Sequence, residues 1–298
     1  MKVTRVIISI PAYNEEKTIG PVIDNIKKVM DQTDYQYKIL VVNDGSNDNT
    51  KFIAEQKGAV VVSHQRNYGL AETFRTEMKE CLKMNFDVII HTDADGQYHA
   101  EDIPRLIKEV ENGYDLVLGS RFRGKIESMP LIKRIGNKAF SKVISNITRL
   151  NITDGQTGFR AFTRDIVEKV KITSTHTYTQ EQIIRSAKEK FAIKEIPVNF
   201  AKRGGGTKSR LISNPFEYAA KAWLNIIRII RDYEPLKIFG TIGMFMIFVG
   251  VLLGIWLVVK FIEAGKVGHP YVSILMVLFI IVGLQIWLFG LLADMLKK

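Results

Sequence analysis

The 298-residue sequence contains one cysteine, and two long stretches near its C-terminus contain no charged residue. The single Cys81 excludes an internal disulfide, and we interpret it as a structural residue. Because disulfides are typical of exported proteins, their absence favours a reducing, cytosolic compartment for the N-terminal part. The first five residues lead directly into a strand-like segment without the layout of a signal peptide, so we expect no export of this part.

Acidic residues are outnumbered, with 31 Asp and Glu against 42 Lys and Arg, and the formal net charge is +11. Residues 121–149 hold eight basic residues against Glu127 alone, and residues 202–231 hold seven against Glu217 alone. Such clusters favour an anionic partner, which would be phosphate, nucleic acid or a lipid headgroup surface. A hydrophobic content of 46% is sufficient for a packed core and excludes disorder of the whole chain.

The two uncharged stretches are residues 238–259 and 271–293, with 22 and 23 residues. About 20 apolar residues cross the core of a bilayer, so we predict a transmembrane hairpin with helices over about 236–262 and 271–293. Buried helices of a soluble core would need charged faces, which neither stretch has. The positive-inside rule then predicts a multi-pass protein of the cell membrane with its first domain on the cytoplasmic face. A permanent membrane anchor makes nucleic acid an unexpected partner.

Upstream of the hairpin, short β-branched segments alternate with helical ones. The strand-like segments are 6–10, 38–42, 59–63, 88–91 and 115–119, and the helix-like ones are 19–31, 50–56, 70–84 and 103–112. This alternation predicts an α/β domain with a mostly parallel sheet covered by helices. Beyond it, basic helical-looking stretches continue to a last strand over 193–198. We expect this domain to span 1–212, an amphipathic interfacial helix to span 213–235 and the hairpin to span 236–298.

Three polar motifs follow predicted strands, and they read Pro11-Ala12-Tyr13-Asn14-Glu15, Asn43-Asp44-Gly45-Ser46 and Asp93-Ala94-Asp95-Gly96-Gln97. Ligands of parallel sheets bind beyond the carboxyl ends of strands, so we expect the three loops to meet in one crevice. Asp93 and Asp95, with an oxygen of Gln97, suit Mg²⁺ or Mn²⁺ shared with a diphosphate. Asp44 suits a base N–H or a ribose hydroxyl. Taken singly, each motif also fits a plain turn.

In this order and spacing the motifs resemble those of the family 2 glycosyltransferases, over roughly residues 4–212. The resemblance implies the Rossmann-like GT-A fold, with nucleotide held by Pro11, Tyr13, Glu15, Asp44 and Asp93. It also implies a Mg²⁺ or Mn²⁺ site at Asp93, Asp95 and Gln97, with Asp95 catalytic. Asn43 stands where many relatives carry a second aspartate. This departure leaves the selectivity for the base open. The sugar ring is read by side chains scattered over loops, so GDP-mannose, UDP-glucose and UDP-N-acetylglucosamine all stay open.

A narrower resemblance is to the polyprenyl-phosphate glycosyltransferases, and it rests on Gly119-Ser120-Arg121, on residues 157–162 and on Arg203 through Leu211. It implies that the lipid phosphate is gripped by Arg121, Arg134 and Arg203, with Ser209, and that Arg121 is catalytic. A phosphomonoester is largely dianionic at neutral pH, so it needs arginine clamps more than a catalytic base. Attraction to anionic lipid headgroups is the alternative explanation for these basic residues.

Together these features predict an inverting transferase that moves one hexose, mannose or glucose, from a nucleotide sugar to dolichyl or polyprenyl phosphate. One alternative is an enzyme that extends a polysaccharide or a lipid-linked glycan, although two helices per chain are few for a polymer channel. Another is a silent nucleotide-binding scaffold, against which the intact Asp93 and Asp95 argue.

Three further features stay outside this assignment. Close packing of transmembrane helices, and with it a homo-oligomer, is compatible with four small residues of the predicted hairpin: Gly240, Gly243, Gly250 and Gly254. We interpret Glu181 as a carboxylate on a helix surface, with an approach to the sugar or metal as the alternative. The histidines lack the spacing of metal ligands; those considered are His91, His99 and His176.

Overall fold

The computed structural model describes residues 4–174, 178–202, 227–228, 230–231, 233–266 and 270–296. The chain divides into two units, Met1–Pro215 and Phe216–Lys298. Most of the predicted interfacial helix over 213–235 lies outside the described residues, and so does the predicted boundary at 212.

A seven-stranded sheet forms the centre of the N-terminal unit, in the order β3-β2-β1-β4-β6-β5-β7. The pairs β1–β2, β1–β4, β2–β3 and β5–β7 are parallel, whereas β6 runs antiparallel to β4 and β5. The strands are β1 (Arg5–Ala12), β2 (Gln36–Asn43), β3 (Val60–Ser63), β4 (Val88–His91), β5 (Leu116–Ser120), β6 (Arg160–Thr163) and β7 (Ile193–Pro197). The sheet is therefore mostly parallel, as predicted.

Helices cover the sheet, and the first and the fourth of them each bury an apolar stripe. In the first helix, Ile19, Ile23, Ile26 and Met30 recur at helical spacing and are all buried. The helices of this unit are α1 (Ile19–Met30), α2 (Thr50–Gln56), α3 (Leu70–Lys83), α4 (Ile103–Glu111), α5 (Leu131–Thr148), α6 (Arg164–Lys169) and α7 (Thr179–Lys188). Cys81 is fully buried on α3, where burial and the neighbouring acidic residues raise the pKa of its thiol.

The expectation that no strand lies between residues 119 and 193 is wrong. The four-residue strand β6 begins with Arg160, a charged residue that is nevertheless fully buried. It pairs with β4 and β5 on its two sides, so the sheet continues through it. The buried guanidinium donates hydrogen bonds to the carbonyls of Thr157 and Thr179 at 2.9 and 2.8 Å.

The C-terminal unit contains two long helices, α8 (Pro235–Ala264) and α9 (Pro270–Met295). Both have a mean hydropathy of 2.7 over 18 residues and are long and apolar enough to cross a bilayer. They run slightly beyond the predicted ends.

Glycines hold α8 and α9 in contact. A Cβ on Gly243 would lie 2.6 Å from the carbonyl oxygen of Gly283, and one on Gly283 would lie 2.8 Å from that of Gly243. Gly250 and Gly290 recur seven residues further along each helix and also face the other helix. Gly243 and Gly250, considered above for close packing, therefore serve a contact within the chain.

Candidate active site

Three loops leave the same edge of the sheet. β1 is parallel to both β2 and β4. The register continues past the strand ends, since the N–H of Asp44 donates to the carbonyl of Ala12 at 2.9 Å and that of Thr92 to Ser9 at 3.1 Å. The residues that follow β1, β2 and β4 therefore meet at the carboxyl-terminal edge, where parallel sheets bind their ligands.

A cavity of about 260 Å³ opens at this edge. Six residues with predicted nucleotide or metal roles line it: Pro11, Tyr13, Glu15, Asp44, Asp93 and Asp95. The loop before α3 and the first turn of α3 add residues that the sequence analysis missed, namely Asn67, Gly69, Leu70 and Thr73. Gln97 is not among the lining residues.

Hydrogen bonds fix the loop after β1 to the loop after β2. Asn14 has a left-handed backbone with φ of 53°, a conformation that asparagine tolerates better than most residues. Its N–H donates to Ser46 Oγ and its Oδ1 accepts from the N–H of Asn47, both at 2.9 Å. The N–H of Glu15 donates to Thr50 Oγ1 at 2.8 Å. The loop that presents Tyr13 is therefore held in place before any ligand arrives.

Asp44 is buried and holds the loop before α3, which lines one side of the cavity. Its Oδ1 accepts from the N–H of Tyr68 and its Oδ2 from that of Gly69, both at 2.9 Å. His64 Nδ1 lies 2.7 Å from Oδ1, and His64 Nε2 lies 2.9 Å from Thr76 Oγ1. The sequence analysis overlooked His64, although it directly follows a predicted strand. The carboxylate thus ties the loop before α3 to the end of β2.

The residues after β4 fit a divalent cation. Asp93 and Asp95 are half-buried, and among the described residues none donates a hydrogen bond to the Asp93 carboxylate. Asp95 Oδ1 accepts from the N–H of Gln97 at 3.1 Å. The side-chain nitrogen of Gln97 donates to the carbonyl of Ala201 at 3.1 Å, which leaves its oxygen as the ligand atom. Mg²⁺ commonly binds one or two carboxylates together with substrate phosphates, and this donor set agrees with that preference.

The described residues contain no group of three or more His, Cys, Asp or Glu side chains placed to hold a metal ion by themselves. A cation at Asp93 and Asp95 would accordingly depend on oxygens of the substrate.

Gly158 lies directly against Asp93. A Cβ at this position would be 2.8 Å from Oδ1 and 3.0 Å from Oδ2 of Asp93, closer than real side chains approach. Because Gly158 has no side chain, the Asp93 carboxylate can occupy this space.

A buried histidine and a buried glutamate lie next to Gly158. His91 and Glu77 are both fully buried, and His91 Nε2 lies 3.1 Å from Glu77 Oε2. On the other side of the ring, Nδ1 is 2.9 Å from the carbonyl oxygen of Gly158 and 3.0 Å from the hydroxyl of Tyr178. Burial lowers the pKa of His91, but Glu77, Asp93 and the hydrogen bond to Gly158 together raise it, and the net direction is upward.

Arg121 is buried against Asp154. Its Nε and NH2 donate to the two carboxylate oxygens of Asp154 at 2.7 and 2.8 Å, and its backbone N–H donates to Oδ2 at 3.0 Å. The guanidinium also lies 5.2 Å from the ring centroid of Phe200. Burial lowers the pKa of Arg121, but Tyr98 and Asp154 raise it above its ordinary value, so the group stays charged. The predicted contact of Arg121 with a phosphate would be made by an arginine already oriented by the protein.

The other predicted phosphate ligands are less defined. Arg134 is exposed in the first turns of α5. Arg203 and Ser209 lie outside the described residues.

The interpretation of Glu181 as a surface carboxylate is wrong. Glu181 is buried in the first turn of α7 and accepts hydrogen bonds from the N–H groups of Thr173 and Ser174 at 3.0 and 2.8 Å. Arg185 Nε donates to it at 2.7 Å. The carboxylate ties the segment before α7 to the helix, a role that no local pattern in the sequence reveals.

The sequence matches the model of glycosyl transferase family 2 over residues 7–171 and that of the GtrB C-terminal hairpin over residues 234–298. It is 32% identical to a dolichyl-phosphate hexose transferase of Haloferax volcanii, over 73% of this chain and 90% of the relative. It is 26% identical to a polyprenol monophosphomannose synthase of Mycolicibacterium smegmatis, over 70% of this chain and 82% of the relative.

Among solved structures, the fold is similar to glucosyl-3-phosphoglycerate synthase of Mycobacterium tuberculosis in complex with Mn²⁺, uridine-diphosphate-glucose and phosphoglyceric acid. The TM-score is 0.57 and the identity 17%, over 75% of this chain and 80% of that one. This likeness shows the GT-A fold. The hairpin match and the two apolar helices indicate a membrane protein. With the family match covering more than half of its length, the chain belongs to glycosyl transferase family 2.

Proposed function

We propose that this enzyme transfers one hexose, mannose or glucose, from a nucleotide sugar to the phosphate of a dolichyl or polyprenyl phosphate, with inversion at the anomeric carbon. The observation that carries the proposal is that Tyr13, Asp44, Asp93 and Asp95 line one and the same cavity at the carboxyl edge of the sheet. The named activities of the two curated relatives support the acceptor class.

The cavity suits the nucleotide diphosphate. Tyr13 offers a ring for stacking on the base, and Pro11, Glu15 and Asp44 line the same cavity. Asp44 already accepts three hydrogen bonds from the loop before α3, so a nucleotide would meet a preformed wall at this side. Either GDP-mannose or a UDP-hexose is compatible with these groups.

Asp93 and Asp95, with the oxygen of Gln97, would hold Mg²⁺ or Mn²⁺. When bound, such a cation neutralises the departing diphosphate. The acceptor phosphate oxygen attacks the anomeric carbon, the bond from that carbon to the diphosphate oxygen breaks, and the nucleoside diphosphate leaves with the electron pair. Because the acceptor is already a dianion near neutral pH, no general base is required.

Arg121 and Arg134 would hold the acceptor phosphate, together with Arg203 and Ser209. Among the first two, Arg121 is oriented by Asp154, and Arg134 is open to solvent. An arginine fixed by a carboxylate can present its remaining N–H groups to a phosphate with little further loss of side-chain freedom. The excess of Lys and Arg supports a cytoplasmic position of the catalytic domain, which is part of this proposal.

The test is to incubate the purified full-length protein with Mg²⁺ or Mn²⁺, a polyprenyl phosphate and one labelled nucleotide sugar at a time, and to extract with organic solvent. Label in the organic phase with one donor supports the proposal and identifies the sugar. Asp95→Ala should abolish transfer but still insert into membranes, and Asp165→Ala, which changes an exposed aspartate of α6, should transfer normally. A ladder of products would favour glycan extension, and nucleotide binding without turnover would favour a scaffold.

Arg121→Ala tests the acceptor site independently of the donor site. We expect a raised KM for the polyprenyl phosphate and a nearly unchanged KM for the nucleotide sugar. The reverse pattern would contradict the acceptor assignment.

A further inference from the structure

Glu77, on α3, is a fully buried carboxylate that the proposed reaction does not use. Its ion-pair partner is His91, whose Nε2 lies 3.1 Å from Oε2, and both side chains have 0% of their surface exposed. Among the described residues, no hydrogen bond of standard geometry reaches either oxygen of the Glu77 carboxylate. A buried charge costs free energy unless it is paired and well hydrogen-bonded, so the stability of the fold alone does not account for this residue.

The ring of His91 lies between Glu77 and Gly158. Its Nδ1 is 2.9 Å from the carbonyl oxygen of Gly158. A carbonyl oxygen only accepts hydrogen bonds, so Nδ1 carries a proton and donates it. The rings of Phe74 and Tyr178 flank the imidazole at centroid distances of 5.5 and 5.0 Å. Because close-packed neighbours limit rotation of the ring, Nδ1 stays directed at the Gly158 carbonyl.

His91 ties together the two chain segments that meet at Asp93. It is the last residue of β4, two positions before Asp93, and it pairs with Arg160 at the start of β6. The paired register of these strands ends there, and its continuation by two residues sets Asp93 opposite Gly158. A Cβ on Gly158 would lie 2.8 Å from Oδ1 of Asp93. The His91 side chain therefore connects the two segments at the point where Asp93 leaves the sheet.

Glu77 connects this contact to a wall of the cavity. Leu70 and Thr73, in the first turns of α3, line the cavity. Glu77 follows them by seven and four residues, a spacing that places all three on one face of the helix. The pair of Glu77 and His91 therefore joins the α3 wall to the end of β4, from which Asp93 follows.

We propose that His91 is a positioning residue of the metal site, which holds Gly158 and thereby the Asp93 carboxylate, and that Glu77 holds the His91 ring. The inference rests on the proposed function, because it takes Asp93 as a ligand of Mg²⁺ or Mn²⁺. Residues that orient a metal ligand typically cost about 10- to 100-fold in metal affinity when they are replaced.

Binding of Mn²⁺ measures this role without turnover. Free Mn²⁺ gives an electron paramagnetic resonance signal that is lost on binding. Titration of the purified full-length protein with Mn²⁺, in the presence of UDP and separately of GDP, therefore gives a dissociation constant. A titration of each nucleotide without protein is the blank.

Two variants of His91 separate its two contacts. In His91→Asn the amide nitrogen stands close to the place of Nδ1, so it can donate to Gly158 but does not reach Glu77. In His91→Gln the amide nitrogen stands close to the place of Nε2, so it can donate to Glu77 but leaves the Gly158 carbonyl. We expect Mn²⁺ binding within about threefold of the wild type for His91→Asn and at least about tenfold weaker for His91→Gln.

Stability should follow the opposite order, which a merely structural role would not produce. His91→Asn leaves the Glu77 charge buried and unpaired, so it should lose more stability in pulse proteolysis than His91→Gln. If His91→Asn does not fold, the double variant with Glu77→Gln removes that charge and should bind Mn²⁺ like the wild type. Where the enzyme turns over, His91→Gln should raise the Mn²⁺ concentration for half-maximal activity and leave the KM for polyprenyl phosphate nearly unchanged.

The control is Cys81→Ala, which opens a small space at another buried position of α3, one turn after Glu77. It should lower stability and leave Mn²⁺ binding unchanged. Equal weakening of Mn²⁺ binding in both His91 variants, or a weakening that follows the loss of stability, would overturn the proposal. A wild type that binds Mn²⁺ with nucleotide but transfers no sugar would instead contradict the proposed function, and the same variants would still test His91.

Discussion

Gly158 faces Asp93 so closely that a Cβ atom on the glycine would lie 2.8 Å from Oδ1 of the carboxylate. Gly158→Ala should therefore displace the Asp93 carboxylate while the protein still folds, because the glycine does not have a positive φ. Misplacement of a reacting group by about 1 Å can cost a hundredfold in rate, so we expect a ten- to hundredfold lower kcat/KM for the nucleotide sugar. The concentration of Mn²⁺ that gives half-maximal activity should rise as well.

The control for this variant is Gly20→Ala, which adds the same methyl group in α1. There the nearest atom is a side-chain carbon of Ile53 at 3.2 Å, outside the cavity, so activity should stay close to that of the wild type. Equal activity of both variants would mean that the position of Asp93 does not limit the reaction.

Asp154→Asn should leave the buried charge of Arg121 without its partner. Removal of one member of a buried ion pair typically costs about 3–5 kcal/mol in the free energy of unfolding. The three tryptophans all lie beyond residue 215, so unfolding of the catalytic domain is better followed by pulse proteolysis in urea than by tryptophan fluorescence. In the fraction that folds, the KM for polyprenyl phosphate should rise more than the KM for the donor.

The matched change for Asp154→Asn is Glu168→Gln, which breaks the exposed pair between Arg164 and Glu168. An exposed pair contributes about 0–1 kcal/mol, so its loss should be barely measurable. If the two variants lost similar stability, the Arg121–Asp154 pair would not be buried as the structure describes.

We predict that Glu181 makes a pH-dependent contribution to the free energy of unfolding. Burial raises the pKa of Glu181, but hydrogen bonds from Ser174, Thr173 and Arg185 outweigh burial, so the folded pKa lies below the ordinary value. The stabilisation is therefore fully present above the unfolded pKa of about 4.3 and is lost as the pH falls through the lower folded pKa.

Glu181→Gln should cost about 1–3 kcal/mol at pH 7, because the amide places an N–H donor where the loop offers donors. The difference from the wild type should shrink as the pH falls below about 4, when the wild-type carboxylate takes up a proton. Glu189→Gln, at the exposed end of α7, should show neither effect. Pulse proteolysis across this pH range measures the difference, and a constant difference would contradict the role of the carboxylate charge.

The sequence was sufficient to predict the parallel part of the sheet and the polar motifs at its edge. Those strands are β-branched runs, and the residues after β1, β2 and β4 follow directly from strand order once the sheet is parallel. It missed β6, because Arg160 reads as a surface residue and only the surrounding carbonyls show that a buried arginine is satisfied there.

The same limit explains Glu181 and His64. A carboxylate near a helix start and a histidine after a strand are both common at surfaces, and only long-range contacts identify their roles. The partner of Arg121 is 33 residues away along the chain, and the glycine beside Asp93 is 65 residues away, so neither spacing has a local signal. Patterns along a chain indicate which face of a helix or strand is buried. The residues that hold a site residue in position come from distant loops, and no local pattern identifies them.

The hairpin gives the last prediction, which concerns Gly243. An added Cβ would lie 2.6 Å from the carbonyl oxygen of Gly283 and 2.7 Å from the backbone nitrogen of Trp287, and backbone atoms cannot move aside as a side chain can. Gly243→Ala should therefore separate α8 from α9 and cost about 1–3 kcal/mol. In Gly240→Ala, about one turn earlier on the same helix, the new Cβ would lie 3.5 Å from the Leu236 side chain and 3.8 Å from the Trp287 side chain. Both are ordinary van der Waals distances, so this variant should be nearly neutral.

Titration with SDS, followed by tryptophan fluorescence, measures this difference, because Trp256 and Trp287 lie on the two helices. Gly243→Ala should shift the unfolding transition to lower SDS, and Gly240→Ala should not. If Gly243→Ala instead changed only the oligomeric state in detergent, with the SDS transition unmoved, the glycine would serve a contact between chains. The structure places it within one chain, so stability of the hairpin is the quantity that should respond.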